Sequence, residues 1–224
     1  MSGAADQRKH LIVISAPSGA GKTTVARYLL SRFPQLRFSV SATTRPRRTG
    51  EVHGRDYFFL SPEEFQAAAR AGELVEYEEI FGHLYGTPRR QIEEALRKGE
   101  FVLFDVDVKG ALSLRRAYPE ETFLLYVAPP SIEELERRLR QRGTETEEQI
   151  QRRLQRASLE LSYQAQFDLV ICNDRLEETL QRAEQVVAQL LGAEPPSPDA
   201  QHVAHLAQPA YQKGADSGTQ STAE

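Results

Sequence analysis

Residues 11–24 of the chain read Leu11-Ile12-Val13-Ile14-Ser15-Ala16-Pro17-Ser18-Gly19-Ala20-Gly21-Lys22-Thr23-Thr24. The first four are apolar and mostly β-branched, which predicts a buried strand, and small residues then lead into a helix predicted over Val25–Arg32. This order is that of a phosphate-binding P-loop, because Gly19 and Gly21 let successive backbone N–H groups converge on phosphate oxygens. The partial positive charge of the helix N-terminus adds to the attraction. The stretch is therefore predicted to bind the phosphates of a nucleotide.

Two side chains at the end of this loop would act on those phosphates. Lys22 brings a mobile positive charge to the β- and γ-phosphates, and the hydroxyl of Thr23 can join the oxygen ligands of Mg²⁺. The motif G-x-x-x-x-G-K-[ST] has Ala16 at its first position, and a residue this small still allows the turn. A plain strand-loop-helix turn is the alternative, and both flanking elements argue against it.

Length, composition and charge bound the remaining possibilities. The 224 residues suit one domain with appendages, and 40% hydrophobic and 27% charged residues are ordinary for a globular protein. No apolar run approaches the ~20 residues of a membrane span, and no signal peptide is recognisable. A net charge of −4 argues against a general nucleic-acid binder. The single cysteine, Cys172, predicts a reducing, cytoplasmic location, and its apolar neighbours predict a buried thiol.

Apolar strands that alternate with helices predict a parallel sheet covered on both faces. The P-loop strand and the next fully apolar strand, 101–104, are about 90 residues apart, which exceeds one crossover connection. Residues 39–90, hereafter the insert, are therefore expected to form a small subdomain for a second substrate. The domain is predicted over 9–192, between a flexible leader at 1–8 and a disordered tail at 193–224.

Local signals predict several ends of strands and helices. Residues 38–41 are strand-like. Ser61, followed three residues later by Glu64, predicts an N-cap and a capping box at the start of a helix. Another helix is predicted to begin at Thr87 and to end at Lys98, next to a glycine.

Two carboxylates follow the second fully apolar strand. Ligands of open parallel sheets bind beyond the carboxyl ends of the strands, so Asp105 can hold Mg²⁺ opposite Thr23, directly or through water. An N-cap or a salt bridge would also account for Asp105. Asp107 lies on the same face two residues later and is better placed to reach into the insert.

The insert contains a basic loop with Arg45, Arg47 and Arg48, and with Ser41 and Tyr57 nearby in sequence. Guanidinium groups and hydroxyls are the donors that a phosphate dianion requires. Taken alone, the cluster is equally explained by a solvated loop or by a nucleic-acid patch.

Two charged helices are predicted over about 136–157, where they would form a lid. Three i,i+4 pairs would stabilise the first of them as an exposed helix: Glu133/Arg137, Glu134/Arg138 and Glu136/Arg140. Arg142 lies outside this pairing, and Arg153 on the next helix could face it across the turn. A lid of this kind brings arginines onto a phosphoryl group in transfer.

Together these motifs resemble those of guanylate kinase, the enzyme that passes phosphate from ATP to GMP. The resemblance covers Leu11 to about Leu191, and its motifs stand in family order: Ser15-Ala16-Pro17-Ser18-Gly19-Ala20-Gly21-Lys22; Ser41-x-Thr43-Thr44-Arg45-x-x-Arg48-x-Gly50-Glu51-x-x-Gly54-x-Asp56-Tyr57; Tyr85-Gly86-Thr87; Asp105-x-Asp107-x-x-Gly110; Arg142-Gly143; and Val170-x-x-Asn173-Asp174. Each motif alone is a weak signal, whereas the set is highly specific.

The resemblance implies a role for each matching position. ATP would lie on Ala16, Pro17, Ser18, Gly19, Ala20, Gly21, Lys22, Thr23 and Thr24, with Asn173 near its base. The phosphate of GMP would be bound by Arg45, Arg48, Tyr57 and Tyr85, and guanine by Ser41, Glu76, Thr87 and Asp107. The implied catalytic residues are Lys22, Arg45, Arg138, Arg142 and Arg153. Mg²⁺ is the implied cofactor, at Thr23 and Asp105.

An ionised Glu76 suits guanine for a physical reason. Its two oxygens only accept hydrogen bonds, and they match the adjacent N1–H and N2–H donors of guanine. Adenine has no donor at N1 and would leave the carboxylate unpaired, which allows discrimination by several orders of magnitude. On sequence alone, Glu76 is also one of several neighbouring glutamates, Thr87 could be an N-cap, and Asn173 could cap the last helix.

The sequence therefore predicts an α/β fold of the P-loop NTPase type, with an inserted GMP-binding subdomain and a helical lid. The predicted reaction transfers the γ-phosphoryl group of MgATP to GMP, and to dGMP, without a nucleic-acid or membrane partner. The alternatives are a monophosphate kinase with another base specificity, an inactive guanylate-kinase-like module that binds proteins, and a P-loop regulator that only hydrolyses nucleotide. The intact Gly21-Lys22-Thr23 argues against the inactive module.

Overall fold

The structure is a computed structural model that describes residues 9–80, 82–141, 143 and 146–194. The predicted leader and residues 195–224 of the predicted tail lie outside the described residues. The strands are β1 (Leu11–Ser15), β2 (Leu36–Phe38), β3 (Ala42–Thr43), β4 (Phe58–Phe59), β5 (Leu74–Ile80), β6 (His83–Pro88), β7 (Phe101–Asp105), β8 (Thr122–Ala128) and β9 (Leu169–Cys172). The α-helices are α1 (Lys22–Arg32), α2 (Pro62–Arg70), α3 (Arg89–Lys98), α4 (Val108–Ala117), α5 (Ile132–Gln141), α6 (Glu147–Ser162) and α7 (Leu176–Leu191).

The main sheet is parallel and has the strand order β2-β7-β1-β8-β9. Successive side chains of β1 point to opposite faces, so Ile12 and Ile14 pack toward α1 and α7, while Leu11 and Val13 pack toward α3 and α4. All four are fully buried. This arrangement confirms the predicted P-loop NTPase type of fold, a parallel sheet flanked by helices.

Residues of the insert form a second, smaller sheet with the order β4-β3-β6-β5. Its apolar centre is Phe65 of α2 with Ala42 and Leu74. The strand predicted at 38–41 is wrong, because only Phe38 lies in a strand, β2, and residues 39–41 connect β2 of the main sheet to β3 of the smaller one. Between them the main chain of Val40 is bonded to the side chain of Gln91, which donates to the Val40 carbonyl at 2.6 Å and accepts from its N–H at 3.3 Å.

Helix ends agree with the prediction where a cap is local in sequence. Ser61 and Glu64 form the predicted capping box of α2. By contrast, α3 begins at Arg89 without a side-chain cap, so Thr87 is not an N-cap and remains in β6. Helix α1 begins at Lys22, three residues earlier than predicted.

The two helices of the predicted lid pack on each other through their own apolar cluster, which contains Leu135 and Leu139 of α5 and Ile150 and Leu154 of α6. Helix α6 begins with a capping box that was not predicted, in which Thr146 is the N-cap.

The charge pairs of α5 match two of the three predicted. Glu134 pairs with Arg138 and Glu136 with Arg140, but Arg137 also binds Glu134 rather than Glu133. The third predicted pair is therefore wrong.

The thiol of Cys172 is exposed, so its predicted burial is wrong. The reason is topological, since β9 lies at the edge of the main sheet. Within the described ranges, no helix combines the length and the apolar character needed to cross a membrane.

Candidate active site

The glycine loop connects β1 to α1 and depends on two left-handed residues. Gly19 has φ 98° and Gly21, the N-cap of α1, has φ 100°. A Cβ atom on Gly19 would lie 3.0 Å from side-chain carbons of Leu135 and Leu139, and one on Gly21 would collide with the side-chain amide of Asn173. Both glycines therefore serve the turn and the close approach of neighbouring elements.

Lys22 lies between the carboxyl ends of β1 and β7. Its Nζ atom is 2.6 Å from Asp105 Oδ1 and donates to the carbonyl of Val106 at 3.1 Å. The salt bridge that was an alternative explanation for Asp105 is therefore present, with Lys22 as its partner. This charge pair stands where the sheet presents its ligand-binding edge.

The predicted oxygen ligands of Mg²⁺ are the hydroxyl of Thr23, which is exposed at the start of α1, and the carboxylate of Asp105, which is bonded to Lys22. The described part of the chain contains no group of three or more histidine, cysteine or acidic side chains able to hold a metal. Mg²⁺ on a nucleotide normally takes one or two protein oxygens together with phosphates and water. The donor set of Thr23 and Asp105 therefore fits such an ion.

One arginine of the lid contacts the glycine loop, and a second contacts the residue that follows β9. Arg153 of α6 donates to Ser18 Oγ at 2.9 Å, and Arg138 of α5 donates to the main-chain carbonyl of Asn173 at 2.9 Å. Arg142, the third lid arginine of the prediction, lies outside the described residues. The described lid helices thus stand over the loop that would hold the triphosphate.

Asn173 connects the last strand to the glycine loop. Its buried side-chain amide donates to the carbonyl of Ala20 at 2.8 Å. It does not cap the last helix, because the N-cap of α7 is Arg175. Asn173 therefore helps to hold the shape of the loop.

Arg45 is the buried member of the basic loop, with 9% of its surface exposed. It donates to Glu51 Oε1 at 2.6 Å and lies over the ring of Tyr57, 5.3 Å from the centroid. Burial by itself would raise the pKa of Glu51, but hydrogen bonds from Arg45 and from the Arg48 backbone hold that pKa below its usual value. Glu51 was part of the matched motif, although no role was predicted for it.

Tyr85 and Arg48, two other predicted phosphate ligands, contact the partners of Arg45. The ring of Tyr85 meets that of Tyr57 edge-on, with centroids 6.0 Å apart. The side chain of Arg48 is exposed, while its N–H donates to Glu51 Oε2 at 2.8 Å. Ser41 is half-buried just before β3, and its carbonyl accepts from the N–H of Phe58.

The side chain of Glu76 in β5 lies beside helix α4, which packs on the main sheet. Thr87 Oγ1 donates to Glu76 Oε1 at 2.5 Å, and a Cβ atom on Gly110 of α4 would lie 3.2 Å from both Glu76 Oε2 and Asp107 Oδ1. The pKa of Glu76 is raised to about 7, first by burial and then by the like charges of Asp107 and Glu78, while the hydrogen bond from Thr87 offsets part of the rise. Three of the predicted base ligands, Glu76, Thr87 and Asp107, therefore lie in one pocket.

Asp107 is the N-cap of α4 and accepts from the N–H of Gly110 at 2.8 Å. Its second carboxylate oxygen accepts from Arg156 of α6 at 3.1 Å. No role was predicted for Arg156. The available signal was its position three residues after Arg153, on the same side of the helix.

Comparisons with known proteins agree with this geometry. The family model described as guanylate kinase matches residues 8–190. Guanylate kinase from Chlorobium luteolum is 50% identical over 171 residues, which are 76% of this chain and 87% of that protein. The one from Salinibacter ruber is 48% identical over 185 residues, covering 80% of this chain and 98% of that protein. The crystal structure of guanylate kinase from Anaplasma phagocytophilum has a TM-score of 0.62 and 34% identity, covering 86% of this chain and 89% of that one. The chain belongs to the guanylate kinase family.

Proposed function

We propose that the chain transfers the γ-phosphoryl group of ATP to GMP, and to dGMP, giving ADP and the nucleoside diphosphate. The observation that carries the proposal is the half-buried Glu76 beside Thr87 and Asp107. Ionised, this carboxylate accepts from the N1–H and N2–H of guanine, and adenine lacks the first of these donors. These groups would bind the base and not the sugar. The proposal therefore includes dGMP, which differs from GMP only in its sugar.

The donor of the phosphoryl group would lie on the glycine loop. Backbone N–H groups and the N-terminus of α1 bind the triphosphate, and Lys22 leaves Asp105 to follow the charge of the γ-phosphoryl group. Arg153 reaches Ser18 of the loop from the lid, and Arg138 reaches the carbonyl of Asn173, whose side chain is bonded to the loop. They would neutralise charge on the group in transfer, and the closed lid would exclude water.

The acceptor would be held by the insert. Arg45, fixed by Glu51 and by the ring of Tyr57, offers its guanidinium to the phosphate of GMP together with Arg48 and Tyr85. The attacking atom is an anionic phosphate oxygen, so no general base is required. The lowering of the barrier comes from positioning and from charge stabilisation.

Thr23 and Asp105 would hold Mg²⁺, which when bound offsets charge on the β- and γ-phosphates. The proposal also includes a cytoplasmic location. Its support is the single, exposed cysteine, which suits a reducing compartment.

The test is a coupled steady-state assay with ATP and either GMP or AMP. The wild-type chain should phosphorylate GMP with a large preference over AMP. Lys22→Ala should lower kcat by about a hundredfold or more, because it removes a charge that acts on the transferring group. Lys98→Ala, at the exposed end of α3, is the matched control and should leave kcat unchanged. Near-normal turnover in Lys22→Ala would refute the mechanism, and equal use of AMP would refute the base assignment.

A further inference from the structure

Arg156 of the lid helix α6 reaches two other parts of the molecule at once. Its Nη2 atom is 3.2 Å from Glu78 Oε1 in the smaller sheet and 3.1 Å from Asp107 Oδ2 at the start of α4. Its Nε atom donates to Glu160 Oε1, one turn along the same helix, at 2.8 Å. One guanidinium group therefore connects the lid, the insert and helix α4 beside the main sheet.

The side chains around Arg156 are negatively charged. Burial raises the pKa of Glu78 and of Glu160, whereas contact with Arg156 lowers both values. Glu76 lies next to Asp107, and after burial the like charges of Asp107 and Glu78 are what raise its pKa. Without Arg156, these carboxylates would repel one another more strongly. They would also repel the dianion of an incoming nucleotide.

Arg156 also fixes the orientation of Asp107. A carboxylate offers about four lone-pair positions. The N–H of Gly110 uses one on Oδ1, and Arg156 uses one on Oδ2. Each oxygen keeps a position for a ligand, and the group cannot rotate without breaking one of the two bonds. Asp107 is thus presented to the pocket in one orientation.

We propose that Arg156 is a positioning residue for guanine, which orients Asp107 and offsets the carboxylates around Glu76 when the lid is closed. The inference rests on the proposed function, since it takes GMP as the acceptor. Arg156 acts through Asp107 and Glu78 and needs no contact with the reacting phosphates. Because it extends from the lid, closure of the lid and completion of the base pocket occur together.

The test compares the full-length wild-type chain with Arg156→Gln in assays that vary GMP and ATP separately. Loss of the cation and its hydrogen bonds should raise the KM for GMP roughly tenfold, while the KM for ATP stays within about twofold. The matched control is Arg152→Gln, which removes the same charge from an exposed pair with Glu148 on the same helix. This control should change either KM by less than about twofold.

Two further variants separate a positioning role from a general structural one. Arg156→Lys keeps the charge but lacks the planar fork, so it should recover part of the affinity for GMP. Glu78→Gln, added to Arg156→Gln, removes one uncompensated carboxylate and should bring the KM for GMP back toward the wild-type value. Thermal unfolding of each variant verifies that the chain is folded in the assay.

The outcomes are distinguishable. If Arg156→Gln behaves like Arg152→Gln, or raises the KM values of ATP and GMP alike, the positioning role is overturned and the proposed function stands. If the wild-type chain does not phosphorylate GMP, the proposed function itself fails.

Discussion

Replacement of Glu76 by glutamine should stabilise the unliganded protein, and increasingly so as the pH rises. The pKa of Glu76 is about 7 against an ordinary 4.5, because burial removes the carboxylate from water and Asp107 and Glu78 repel its charge; Thr87 offsets part of this. Between these pH values the folded chain keeps a proton that the unfolded chain has released, so the free energy of unfolding falls as the pH rises. A gap of roughly two and a half pH units corresponds to about 3 kcal/mol.

Urea unfolding of the nucleotide-free wild type and of Glu76→Gln, from about pH 5 to about pH 8.5, measures this difference. Glutamine resembles the protonated acid and can still accept from Thr87, so the two proteins should differ little at the acidic end. The advantage of the variant should then grow to about 3 kcal/mol at the alkaline end. Glu79→Gln, an exposed change on the same strand, is the control and should show no such growth. A difference that does not vary with pH would refute the account of a buried carboxylate that resists ionisation.

Two further variants test single interactions. Glu51→Gln should raise the KM for GMP roughly tenfold and leave that for ATP unchanged, because it removes the charge partner of Arg45 and weakens the support of Arg48; equal KM values in variant and wild type would contradict this. Ser61→Ala removes the N-cap of α2 and should lower the free energy of unfolding by about 1 kcal/mol, measured by urea unfolding, with both KM values unchanged; an unaltered unfolding midpoint would count against the cap.

The features that the sequence predicted well depend on neighbours in the chain. The capping box at Ser61 is confirmed, because both of its residues lie within three positions of each other. The exposure of Cys172 could not be predicted from its neighbours in the chain. An apolar run indicates a strand, but it does not tell whether that strand lies inside the sheet or, like β9, at its edge.

In the candidate site, too, local motifs were predictable from the sequence, whereas contacts between distant residues were not. Asp105 was expected opposite Thr23 because the P-loop motif and the rule for the ends of parallel strands each predict a position in the fold. Its salt bridge with Lys22 is known only from the structure. Arg156 was missed because its partners Asp107 and Glu78 stand 49 and 78 residues away, and only the folded chain brings them together. Several glutamates lie close to Glu76 in the sequence, and only the family resemblance singled out Glu76. Its role stays a prediction.

The bond from Asn173 to the carbonyl of Ala20 spans 153 residues of sequence. During synthesis, the glycine loop leaves the ribosome long before β9 and the asparagine that follows it. A nascent chain that ends within α6 therefore contains every residue of the motif but lacks one of its supports. We expect ATP binding to arise late in translation, after β9 has joined the sheet.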